Sequence, residues 1–106
     1  MKWFRVYSDA RHDPKVQRLP LPLFRFWFNI LCLANDGSPR GTLPAIESIA
    51  YEMRIGQVRA QKMVNQLIEA NLIDRCDGGH LKPYGWDKRQ HESDASGATD
   101  RNLNYY

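Results

Sequence analysis

The sequence predicts a mainly α-helical domain carrying one small β-hairpin, an α+β chain, and three observations predict it. An apolar helix pattern dense in aromatic residues runs from Pro22 to Ala34. Two shorter amphipathic helix patterns then meet at Arg54-Ile55-Gly56, and Asp77-Gly78-Gly79 separates two short extended runs directly after them. The order helix, tight turn, helix, hairpin over residues 41–86 describes a winged helix-turn-helix.

Taken in order, Trp3-Phe4-Arg5-Val6-Tyr7 alternates like a short strand, with Phe4 and Val6 on one face and Trp3, Arg5 and Tyr7 on the other. Asp13 is placed to cap a short helical turn opened by Pro14, whose fixed φ and missing N–H suit the first helical position. Val16 and Leu19 then face inward. From Pro22 to Ala34 the side chains Leu23, Phe24, Phe26, Trp27, Phe28, Ile30, Leu31 and Leu33 surround the helix axis, which predicts a buried helix with Arg25 and Asn29 as its one narrow exposed stripe. The same aromatic density would also suit a dimer seam or a ligand pocket.

After the extended Gly41-Thr42-Leu43, Pro44 opens a helix to about Met53, with Ile46, Ile49, Ala50 and Met53 on one face. Gly56 suits either a helix stop or an N-cap. The next helix, from Gln57 to about Ala70, gathers Ala60, Met63, Val64, Leu67 and Ile68 within an arc of about 140° at 100° per residue. Asn71 stands where a left-handed residue should end it. Ile73–Cys76 and His80–Lys82 then form the hairpin strands, because both intervening glycines accept positive φ, with Tyr84 and Trp86 packing the returning strand. Two segments follow: a domain over 1–89 and a polar tail or linker over 90–106 with almost no apolar periodicity.

A chain of 106 residues that is 42% hydrophobic and 25% charged suits one soluble globular domain. Cys32 and Cys76 lie far apart and outside any CxxC pair, so they read as reduced thiols. The start, MKWFRVYSDARHD, has no apolar signal-peptide core, and the apolar run 19–34 is too short to span a bilayer. The expectation is a cytoplasmic protein without membrane contact. Net charge is +3. It is unevenly placed: residues 1–90 hold 14 Lys and Arg against 9 acids, and residues 91–106 hold one Arg against three. An excess of this size favours a polyanionic partner and equally describes a solvated basic surface.

The chemistry therefore points to binding. Arg54, Gln57, Arg59, Gln61, Lys62, Asn65 and Gln66 form a polar face free of acids along the second helix of the pair and its entry turn. Gln and Asn can bond bidentately to adenine, and Arg or Lys to guanine, so this face suits the major groove of DNA. Arg75, His80 and Lys82 on the hairpin, with Lys88 and Arg89 after it, are candidates for the flanking phosphates. Catalysis and metal binding find little support. His12-Asp13 lacks the further ligands of a phosphohydrolase, Cys76, His80 and His91 fall short of four zinc ligands, and neither GxxxxGK[ST] nor GxGxxG occurs. No cofactor is expected.

The chain resembles the N-terminal winged-helix domains of phage replisome-organiser and replication-initiation proteins, which are related in architecture to bacterial primosomal helicase loaders. The resemblance rests on Asp13-Pro14-Lys15-Val16 with Leu19-Pro20, the aromatic helix around Trp27, Gly41-Thr42-Leu43-Pro44 leading to Ile49-Ala50, and Ala70-Asn71-Leu72-Ile73. It continues in Trp86-Asp87-Lys88-Arg89-Gln90 followed by Ser93-Asp94, Arg101 and Tyr105. Asn71 replaces the usual glycine. The resemblance implies a DNA-binding role in replication initiation and a helicase or other replisome partner; the helicase-contacting C-terminal region of the family is not part of the 106 residues, which suits either one domain of a longer protein or a protein reduced to its DNA-binding module. One such module buries too little surface for tight specific binding, so a homodimer or repeated sites are expected. The alternatives are a protein-interaction or oligomerisation module of a replication assembly and a small phage transcriptional regulator.

Overall fold

The computed structural model of the chain describes residues 3–91, and its longest element, α2 (Leu21–Asn35), carries the centre of the core. Leu23, Phe26, Trp27, Ile30, Leu31 and Ala34 recur at helical spacing and are buried, so one broad face of α2 is interior. The other face is open to solvent. Phe28 is 49% exposed and Phe24 39%, which corrects the expectation of a helix exposed only at Arg25 and Asn29, and Leu21, just ahead of the expected span, is 83% exposed. Residues 46–53, 57–69 and 81–83 pack on α2 from one side, and an apolar composition all round cannot say which sides gain a neighbour.

Upstream, a 3-10 turn (Ser8–His12) leads to α1 (Pro14–Gln17). Asp13 caps α1 as its position predicts, accepting from the Lys15 backbone N–H at 2.9 Å, and Val16 is buried beneath it. Downstream of α2, α3 (Ile46–Met53) and α4 (Gln57–Glu69) are joined by Arg54-Ile55-Gly56. Helix α3 starts two residues later than Pro44 suggests, because Ala45 is still extended.

Both helices end in the same way. The Ile55 N–H reaches back to the Ala50 carbonyl at 3.0 Å and the Arg54 N–H to Tyr51 at 3.2 Å, with Arg54 left-handed at φ 59°. Likewise Leu72 bonds to Leu67 at 2.9 Å and Asn71 to Ile68 at 3.0 Å, with Asn71 at φ 63°. These paired bonds satisfy carbonyls a helix end would otherwise leave open. Gly56 takes the N-cap of α4 instead, in an extended conformation.

Strands β1 (Ile73–Arg75) and β2 (Leu81–Pro83) pair antiparallel, with Ile73 opposite Pro83 and Asp74 opposite Lys82. Gly78 and Gly79 both take positive φ, as the turn requires. The extended stretch after Gly41 runs beside β2, its Leu43 N–H donating to the Leu81 carbonyl at 2.9 Å. Gly41 itself, at φ 98°, lies against the indole of Trp86.

The last described element, α5 (Trp86–His91), replaces the start of the expected tail. Trp86 is buried and stacks obliquely on Phe4, with ring centroids 5.7 Å apart. Buried Gln90 does what a strand neighbour would do: its side-chain carbonyl accepts from the Arg5 N–H at 2.8 Å, and its amide donates to the Arg5 carbonyl at 3.0 Å. Trp3–Tyr7 is therefore extended but not a strand, and Gln90 belongs to the folded body. The rest of the expected tail, from residue 92, lies outside the described residues.

Candidate nucleic-acid interface

Helix α4 positions the polar residues by burying its opposite face. Ala60, Val64 and Leu67 are buried and Met63 and Ile68 half-buried, as their arc predicts. Gln57, Arg59, Gln61, Lys62, Asn65 and Gln66 are all exposed. Five of them, Gln57, Gln61, Lys62, Asn65 and Gln66, line one shallow surface depression that ends at Glu69. Within it the Gln61 amide donates to the Asn65 side-chain oxygen at 2.9 Å, which sets the orientation of both amides.

Gln61 also borders a second depression, shared with Arg75 and His80 of the hairpin. The α4 face and the start of the hairpin are thereby brought together. Arg54 and Arg59 face elsewhere, into a groove between α3, α4 and the N-terminal half of α2, where Arg25 joins them. Sequence reading placed Arg25 on an exposed stripe of α2 but had no signal for its approach to the α3–α4 turn, which only tertiary packing creates.

The remaining candidates fare differently. Lys82 is engaged with Asp87, Nζ to carboxylate oxygen at 3.2 Å, so its charge is partly neutralised. Lys88 is exposed. Arg89 is fully buried and donates from Nη1 to the Tyr84 carbonyl, which corrects its assignment to the phosphate-binding set: a side chain with no exposed surface anchors the α5 turn instead. Asp74, next to Arg75 on β1, is exposed, and the partial desolvation of its carboxyl pushes it above the usual range. Among the described residues, no group of three or more His, Cys, Asp or Glu side chains is placed to hold a metal ion. No helix among them is long and apolar enough to cross a membrane.

Fold and surface together define a small, mainly helical α+β protein whose fourth helix presents an exposed polar face beside a two-stranded hairpin. Comparison with protein-family models, with curated proteins and with solved structures finds no match to the chain.

Proposed function

We propose that this protein is a DNA-binding winged-helix module, with α4 in the major groove and the hairpin as a wing on the backbone. The observation that carries the reading is the exposed face of α4: Gln57, Gln61, Lys62, Asn65 and Gln66 lie side by side with no acid before Glu69. Amide and ammonium groups of this kind match base edges, and the N-terminal N–H groups of α4 suit a phosphate. Arg75 and His80 extend the surface across Gln61, Lys88 supplies exposed positive charge, and Arg54 and Arg59, which face the adjoining groove, supply flanking positive charge.

The sequence resemblance supports placing this activity in phage-type replication initiation, in the cytoplasm, with double-stranded DNA and a helicase or other replisome protein as partners, and the small surface of one module favours a homodimer or several copies on repeated sites. A transcriptional regulator would use the same face on a different target. The protein-interaction reading is favoured by one observation of its own, the solvent-exposed Leu21, Phe24 and Phe28 of α2.

Fluorescence anisotropy with a labelled duplex tests the proposal. The double variant Arg59→Ala/Lys62→Ala, its fold checked by circular dichroism, should lose affinity by about tenfold or more, as loss of base or phosphate contacts implies. Unchanged affinity would remove α4 from the interface, and no binding to any DNA would leave the interaction module as the reading.

A further inference from the structure

Beside the α4 face lies a second surface with different chemistry. Leu21 and Pro22 of α2, Met53 and Ile55 at the end of α3, and Met63 of α4 line a groove floored by the buried ring of Phe26. Arg25, Arg54 and Arg59 stand on its rim, against one acid, Glu52. Among the described residues none of these three arginines is in an ion pair. Arg54 reaches the rim from a left-handed backbone position that glycine would occupy at lower cost, and such strain gathers where a side chain is needed.

We propose that this groove docks an acidic amphipathic helix of a partner protein. Two features fix the class of occupant. Methionines and an exposed leucine give an apolar floor that adapts to the side chains laid on it, the usual counterpart of an amphipathic helix inserting anchors at i, i+3, i+4 and i+7. Three guanidinium groups on the rim select acids on the flanks of that helix and disfavour a basic one, since like charges brought together across an interface are repelled. Arg54 and Arg59 border both this groove and the DNA surface, whereas Leu21 and Arg25 lie outside the residues assigned to DNA, so those two separate the partner site from the DNA site.

The test is an NMR titration of the full ¹⁵N-labelled chain with a synthetic helical peptide of about 16 residues, long enough to hold a few turns. It carries leucines at the anchor spacing and glutamates on its remaining positions; a control peptide has lysines in place of the glutamates. The acidic peptide should saturate and shift the amides of Met53, Ile55 and Met63, and the basic one should not. Arg25→Glu and Leu21→Ala, both at exposed positions that leave the core untouched, should each weaken the acidic peptide by about tenfold or more, and Leu21→Ala, which changes no charge, should leave duplex DNA affinity unchanged. Absence of shifts up to ~1 mM peptide, the weak limit of specific binding, would overturn the proposal. Equal binding of both peptides would do so too, as would groove shifts that depend on protein concentration alone, which would assign the groove to a second copy of the chain.

Discussion

Arg54→Gly separates stability from function, because the two should move in opposite directions. Arg54 ends α3 at φ 59°, and the N–H bonds of Arg54 and Ile55 to Tyr51 and Ala50 hold it there. A left-handed backbone costs an L-residue about 1–2 kcal/mol, a cost glycine does not carry. Glycine in turn gives the unfolded chain more freedom, which takes back about 0.4–1 kcal/mol. The variant should therefore be more stable by roughly 0.5–1 kcal/mol, about 2–8 °C in Tm for a domain of this size. Its loss of an exposed cation should reduce the salt dependence of duplex binding by close to one phosphate contact, about 0.9 in the slope of log K against log salt. Thermal melts followed by circular dichroism, and anisotropy at three salt concentrations, measure both. A lower Tm would refute the reading of Arg54 as a strained cap, and an unchanged salt slope would remove it from the DNA surface.

Other substitutions probe how the fold is held. Gly41→Ala drives a Cβ into the Trp86 ring at a φ of 98°, so urea denaturation should show a loss of about 2–4 kcal/mol from strain and overpacking together. Arg89→Ala empties a fully buried position and leaves the Tyr84 carbonyl without its donor. A stability loss of about 2–4 kcal/mol should follow, with duplex affinity of the folded protein unchanged; the reverse pattern would restore Arg89 to the DNA contacts. Burial raises the Cys32 thiol above its ordinary value of 9.0, and the Asp36 carboxylate adds to the effect. Alkylation of Cys32 at pH 8 should thus be slower than in urea-unfolded protein and faster in Asp36→Asn. The folded chain keeps a proton that the unfolded chain releases, so this stabilising contribution is complete below pH 9.0 and declines as pH rises through the folded value.

What the sequence made legible was set by local chemistry. Asp13 and Pro14 mark a helix start, Asn71 marks a left-handed stop, two glycines mark the hairpin, and the 3.6-residue period of α4 separates Ala60, Val64 and Leu67 from Gln57, Gln61 and Asn65. What escaped it depends on partners far along the chain. The strand expected at Trp3–Tyr7 finds a side-chain amide 85 positions away in place of a neighbouring strand. Arg89 looks like any surface cation until α5 folds it under the Tyr84 turn, and Phe24 and Phe28 look like core until α3, α4 and β2 are seen to cover only the other side of α2. The same limit governs the candidate site. Periodicity alone put the α4 residues on one face, whereas the meeting of Arg25 with Arg54 and Arg59 required the tertiary packing.

Amide chemical-shift mapping of the full chain with a duplex at low salt locates the DNA-binding surface residue by residue. Shifts should concentrate at residues 57–66 and at Arg75 and His80, vanishing together as salt is raised. Shifts confined to other surfaces, or a spectrum unchanged by any duplex, would contradict the placement of α4 in the groove.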